Sequence, residues 1–494
     1  MDSKKVKELL VKYVAGGYNS FNSIESSFLK DLVQFGVELG YKYGNIDLDN
    51  LWPSRSTVRS ATFDIVEKHK KEILEELKES SKSSSLSVTT DIWSDGVVRQ
   101  AYIDVSVFYI YEWKLKHALL AFRHFEESHT GAAIFSKIQQ VANEFGFDSL
   151  TSPYVTDSAA NMKAAFRNGE WYPCMCHRLH TIVKDSWNQL LSSDFEISLM
   201  FERMMNVRRS VHHSVGLEAQ LPKKLPNDSP TRFWMGLSAL FGAFVVSFEK
   251  INEIFEEHQD ISPPSDKRLM QNVLTALETF DFAFQNMQSA TMPTLHLAIL
   301  NLAKIELAIT GWLSRMKTFG QIVIGNLTKK WVSEINAGHI LSPLQDAINV
   351  KASISAVEQS IALNYQQDAI NDTSSGEIQA IPEVNADPFM DQIDHQATAK
   401  DNLLNKSSTL DEYDLYLKET ISRRFENPLE YWKDSQHKKL SKVACSIFCI
   451  PCSSAEPERH NSAAGKTITA LRNRLKPEIV EALVIINESI KNSI

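Results

Sequence analysis

The chain has 494 residues, 43% hydrophobic and 23% charged, with a net charge of −9 and a pI of about 5.9. That composition describes a soluble globular protein long enough for two or three domains, and it excludes a uniformly basic nucleic-acid binder while leaving room for a local basic groove. The cysteines, Cys174, Cys176, Cys445, Cys449 and Cys452, are odd in number and fall in two short clusters, which suits a reducing compartment; no apolar run approaches the ~20 residues of a membrane helix.

Residues 1–50 read as two short helices broken at Gly16-Gly17, a small packed cap built on Phe21, Ile24, Phe28, Leu29, Leu32 and Val33. The charged N-terminus lacks the apolar core of a signal peptide. Val58 to Ser80 predicts a long charged helix with a solvated face. From Leu86 the period shifts toward 2 and predicts strands at Val88 to Trp93, Tyr102 to Tyr111 and Leu115 to Phe125, the last two joined as a hairpin at Glu112-Trp113. A helix at Ala132 to Phe145 and a short strand at Pro153 to Thr156 follow, the latter placed beside the first strand.

Within the first strand, Asp91 stands among Val88, Thr89, Thr90, Ile92 and Trp93. An unpaired buried carboxylate costs several kcal/mol, so Asp91 needs a partner: an ion pair, a cap, or a metal. The strand order brings Asp157 to an adjacent strand end. Two such acids plus a third from a helix can hold two divalent cations ~3.5–4 Å apart and stabilise the attacking and leaving oxygens of a phosphodiester, with magnesium suited to the hard oxygen ligands.

Further along, Cys174 and His177 share a helical face at i, i+3; without a second pair they are an incomplete zinc half-site, and packing is the simpler reading. Residues 185–360 are helical in pattern, with segments at Phe233 to Phe255, Leu269 to Phe284 and Leu295 to Phe319. Arg203, Arg208, Arg209, His212, His213, Lys223, Lys224 and Arg232 concentrate positive charge ahead of Phe233 and Trp234. They could grip phosphate and stack on a base, or form a solvated face beside a core tryptophan. From about Gln366 an acidic linker runs to helices resuming at Thr409 to Phe425, and the last helix is expected over Pro477 to Ile490.

The ordered motifs Trp52-Pro53-Ser54-Arg55, Thr89-Thr90-Asp91-Ile92-Trp93, His129-Thr130-Gly131, Val155 to Met162, Cys174-x-x-His177, Thr231-Arg232 and Ser453-Ser454-Ala455-Glu456-Pro457-Glu458-Arg459 through Gly465 to Leu475 resemble the hAT superfamily of DNA transposases. The resemblance implies an α/β fold with a large all-α insertion: a ribonuclease H-like catalytic domain interrupted by a helical domain, with a C-terminal hAT dimerisation region. The expected boundaries are 1–80 for an N-terminal helical region, 81–187 for the first part of the core, 188–365 for the insertion, 366–408 for the linker and 409–494 for the dimerisation region. It implies that Asp91, Asp157 and Glu458 form a DDE triad binding two Mg2+ or Mn2+ ions, that Cys174 and His177 lie beside the site, and that Arg232 and Trp234 bind DNA; Arg208 and Arg209 of the basic patch are expected to bind DNA with them.

Two departures from the family pattern are visible. No cysteine precedes Cys174, so no BED zinc finger is identified, and His460-Asn461-Ser462 stands where the family has a hydrophobic pair and a serine. The expected protein is a nuclear, DNA-binding homo-oligomer without a membrane span, either a transposase or a catalytically inactive regulator of transcription or chromatin derived from one.

Overall fold

β-Branched and aromatic residues dominate Leu86–Ser94, which forms β1, the central strand of a five-stranded sheet ordered β3-β2-β1-β4-β5. The computed structural model describes residues 3–17, 19–226, 233–256, 261–312, 316–332 and 427–493. They divide into two units, residues 1–64 and residues 65–494.

In the larger unit β2 (Ala101–Tyr111) is antiparallel to β1 and to β3 (Lys114–His124). The hairpin turns at Glu112 and Trp113, both with positive φ (49° and 60°), the backbone that matches strand twist in a two-residue loop. β4 (Tyr154–Thr156) pairs parallel with β1 on its other side, as expected from the sequence. Beyond it lies β5 (Trp171–Pro173), parallel to β4, which the sequence pattern did not reveal. The register shifts between Val105 and Ser106 of β2, which pair with Ala121 and Leu119 and leave Leu120 of β3 as the extra residue of a β-bulge.

The alternation of β2 separates two layers. Ile103, Val105, Val107 and Tyr109 pack with Ile73, Leu77, Ile134, Ile138 and Val141 of α4 (Arg55–Lys82) and α5 (Gly131–Phe145). The second half of α4 is therefore not simply solvated: Val66, Ile73, Leu77 and Ser80 are buried, so the sheet claims one stripe of an otherwise charged helix. On the opposite face Tyr102 packs with Leu119, Phe122, Ala464, Val480 and Val484, the last three from α16 (Ala455–Thr467) and α17 (Pro477–Ser493). Asp104 and Ser106 share that buried face.

Small residues bring α5 against α6 (Ala160–Ala165). A Cβ at Gly131 would sit 2.7 Å from the Ala165 nitrogen, so only glycine permits the approach. Thr130 caps α5 by accepting from the Ala133 amide, and the His129 carbonyl accepts from Asn161 Nδ2.

After β5 the chain forms α7 (Met175–Ser193), α8 (Phe195–His212), α9 (Val215–Glu218), α10 (Phe233–Glu256), α11 (Lys267–Met287), α12 (Leu297–Thr310) and α13 (Lys317–Leu327), followed by a π-helical turn at Thr328–Val332. Their shared core centres on Trp187, fully buried and meeting Phe201, Phe241 and Phe319 edge-on at 5.4, 5.7 and 6.2 Å. The stretch Leu295 to Phe319, expected as one helix, is two, because α12 closes at Gly311. The chain returns through α14 (Pro428–Asp434) and α15 (Lys438–Phe448) to α16 and α17.

The smaller unit holds α1 (Ser3–Gly17), a 3-10 turn at Phe21–Glu25, α2 (Ser27–Tyr43) and α3 (Leu48–Leu51), with the beginning of α4. The expected packed cap is not observed: among the described residues of 3–64 none is buried, and Phe28, Leu32 and Val33 are more than half exposed. A unit of about 64 residues built on two helices has too little facing area to cover their apolar stripes. The expected acidic linker 366–408 and the Thr409 to Phe425 helices lie outside the described residues.

Candidate functional site

Three of the expected site residues converge at the C-terminal edge of β1 and β4. Parallel pairing aligns Thr89 with Val155, so Asp91 and Asp157 each stand two residues further along neighbouring strands. Glu458 lies in the first turn of α16, and its Oε1 is 3.5 Å from His177 Nε2 in the first turn of α7.

Backbone and thiol contacts hold these elements in place. The Cys174 amide donates to the Thr156 carbonyl at 2.7 Å, one residue before Asp157. The Met175 amide donates to the Cys452 carbonyl at 2.9 Å, and the Ser454 amide donates to Cys174 Sγ at 3.3 Å, immediately before α16 begins. Ser87 Oγ of β1 adds a bond to the Cys449 carbonyl at 2.7 Å. Thus Cys174 fixes the start of the helix that carries Glu458, while His177 faces the acid itself, which gives the two residues of that motif separate tasks.

The electrostatics follow from crowding. Burial raises the Asp91 carboxyl to about 7; the Asp157 and Glu458 carboxylates push it the same way, against the Ile92 amide and His177. Asp91 Oδ1 accepts from the Ile92 amide at 2.8 Å, and Oδ2 accepts from Asn461 Nδ2 at 3.0 Å. Burial alone would lower His177, but Cys174, Glu458 and Asp157 raise it to about 10. Burial likewise opposes ionisation of Cys174, yet Cys176, His177 and Ser454 draw its thiol well below the usual range.

This donor set fits a hard divalent cation: the three acids are partly exposed at one edge, and their mutual repulsion is the cost that a cation would remove. The acids do not close into a tight cage. Among the described residues, the group of His, Cys, Asp and Glu whose ligand atoms all lie within 4.8 Å is His117, Glu456 and Glu488, a second place able to hold a cation. It was not foreseen from the sequence, although Asp104 interrupting an apolar strand is the same kind of signal that drew attention to Asp91.

That second cluster is buried. His117 Nε2 lies 2.6 Å from Glu488 Oε1 and 3.7 Å from Glu456 Oε2; Arg459 pairs with Glu456, and Lys491 Nζ is 3.8 Å from Glu488 Oε2. His460, 1% exposed, places Nδ1 2.7 Å from Asp104 Oδ2 and Nε2 3.2 Å from Glu488 Oε2. Burial would lower His460, but Asp104 and Glu488 raise it to about 10; Glu488 is held below the usual carboxylate range by His117 and His460, against its own burial.

The expected DNA-binding residues are not gathered here. Arg208 is 6% exposed inside the helical body, while Arg209 is on the surface and donates to Asn206 Oδ1 at 2.8 Å. Arg232 and the Trp234 side chain lie outside the described residues.

Sheet order and strand-end acids define an α/β core, and residues 89–169 match the ZBED1 RNase-like domain. Residues 412–490 match the hAT family C-terminal dimerisation region. The chain is 24% identical over 345 residues to the Transposable element Hobo transposase of Drosophila melanogaster, covering 68% of this chain and 52% of that protein. It is also 24% identical over 553 aligned positions to the Putative transcriptional regulator tpeD of Talaromyces stipitatus, covering 98% of this chain and 62% of that protein. The chain is similar to hAT-family transposase-like proteins and spans between half and two thirds of the length of these curated relatives. No described helix is long and apolar enough to cross a membrane.

Proposed function

We propose that the chain is the catalytic and dimerising part of a DDE-type DNA transposase acting in the nucleus, with a ribonuclease H-like domain interrupted by the helical body from α7 to α13. The observation that carries this reading is the register that aligns β1 and β4 two residues before Asp91 and Asp157, with Asp157 and Glu458 each close enough to Asp91 to raise its carboxyl. Asp91, Asp157 and Glu458 would hold two magnesium or manganese ions. Bound there, such ions would supply activation of a water or 3′-hydroxyl and stabilisation of the leaving oxygen of a phosphodiester.

The chain's own residues do the positioning. His177 faces Glu458 at 3.5 Å, and Asn461 directs one Asp91 oxygen while leaving Oδ1 bonded to a local amide. Arg209 is available on the surface for a DNA phosphate, and we assign Arg232 and Trp234 to DNA contact as well. The match over 412–490 supports self-association through the C-terminal region.

Incubation of the purified chain with Mg2+ or Mn2+ and DNA carrying the terminal repeats of its source locus tests the reading. Strand cleavage is expected, and Asp91→Asn abolishes it. Intact DNA under every metal condition, with binding retained, rejects the enzyme in favour of the second reading, a noncatalytic DNA-binding regulator, which the 98% coverage by a putative transcriptional regulator favours.

A further inference from the structure

Glu458 is followed on α16 by His460 and Asn461, both at most 9% exposed, which pass beneath the sheet. β1 and β2 pair so that Asp91 stands directly opposite Asp104, two carboxylates on one face of the sheet. Successive residues of α16 take one acid each: Asn461 Nδ2 donates to Asp91 Oδ2, and His460 Nδ1 meets Asp104 Oδ2. Ser106 Oγ donates to the other Asp104 oxygen at 2.6 Å. The far nitrogen of His460 faces Glu488 of α17, whose second oxygen meets His117 of β3. Contacts thus run from β2 through α16 and α17 to β3.

A cation is one candidate for this cluster, since His117, Glu456 and Glu488 could ligate it. The charges argue otherwise. Asp104, Glu456 and Glu488 are each already paired with a positive group, His460, Arg459 and Lys491 among them. A bare contribution to stability does not explain the cluster either, because well-packed apolar side chains fill such a space at no greater cost. What the ionic chain adds is contact at fixed points: His460 Nδ1 hydrogen-bonds Asp104 Oδ2, and its Nε2 lies 3.2 Å from Glu488 as a charge contact.

We propose that His460 and Glu488 are positioning residues for the acid site: Glu488 orients the His460 imidazole, His460 seats α16 on Asp104, and the placement of Glu458 and of Asn461 against Asp91 thereby depends on α17, the last helix of the segment matched as a dimerisation region. The proposal rests on the acid-site reading above. Through it, the seating of α17 reaches the cation site without α17 touching it.

The test uses the full chain with Glu488→Gln, a substitution of nearly equal volume, and His460→Leu beside His460→Gln, which keeps a donor toward Asp104. Mn2+ affinity is read by electron paramagnetic resonance and DNA affinity by fluorescence anisotropy. Glu488→Gln and His460→Leu are expected to weaken Mn2+ binding about tenfold or more, the scale at which outer partners of ligands act, with DNA affinity unchanged and His460→Gln recovering part of the loss. Wild-type Mn2+ affinity in both variants overturns the proposal. An Asp91→Asn chain that binds Mn2+ as the wild type does overturns the acid-site reading instead. Hydrogen exchange on the unmodified chain decides the matter even if a variant does not fold: α16 and α17 are expected to open as one unit, and independent opening of α16 overturns the proposal.

Discussion

Two acidic clusters lie on the same face of one sheet and share α16, yet they are built oppositely. At the edge, Asp91, Asp157 and Glu458 face one another with His177 as the nearby cation, and the Asp91 carboxyl is raised to about 7. Beneath the sheet, Asp104, Glu456 and Glu488 are answered by His460, Arg459, His117 and Lys491, and Glu488 is held ionised. Charge left uncompensated at an accessible edge fits the binding role proposed for it; charge compensated in the interior fits the positioning role proposed for His460 and Glu488.

Removing a member of the interior cluster should produce the largest loss. Glu488→Ala strands His460 and His117 without their acid, and chemical denaturation should show a loss of about 3–5 kcal/mol. A loss below ~1 kcal/mol would erase the distinction between the clusters. At the edge, Asp157→Asn should instead leave stability nearly unchanged while weakening Mn2+ binding about 100-fold, roughly 2.7 kcal/mol, by calorimetric titration. Between these lies a steric test: Gly131→Ala drives a Cβ into the Ala164–Ala165 backbone and should cost about 1–3 kcal/mol, shifting the loop that carries Asp157.

The smallest effect is on pH. The folded Asp91 carboxyl titrates near 7 against an ordinary 3.8, so in metal-free buffer the folded state holds the extra proton between those values. Stability from this group is therefore present at low pH and lost as pH rises toward 7, by about 1–2 kcal/mol once water reaching the half-buried side chain is allowed for. Asp91→Asn should remove that slope in a series of melts. His460 acts at higher pH: raised to about 10, it contributes fully below about 6.5 and its contribution fades as pH climbs through 10.

The edge was legible in the sequence because strand period and a misplaced acid are local signals. β1 to β4 and α5 fell where alternation and turn residues put them, and Asp157 followed from the strand order. β5 escaped because three residues ending in Pro173 carry no period. His460 and Asn461 stood out only as departures from a family pattern; their partners Asp104 and Asp91 are far away in sequence, and no local rule links them. The expected cap at 1–50 failed for the converse reason, since helical spacing of Phe28, Leu32 and Val33 predicts a stripe but not what would cover it.

The bonds from Ser87 to Cys449 and from Asn461 to Asp91 also set an order of events during synthesis. A ribosome delivers both strand acids before the helix bearing Glu458, so a chain that has not yet reached Cys449 and Glu458 carries two acids of three and lacks the loop that anchors their strand. The three acids meet only once the segment after β5 and the helical body has folded back onto the sheet.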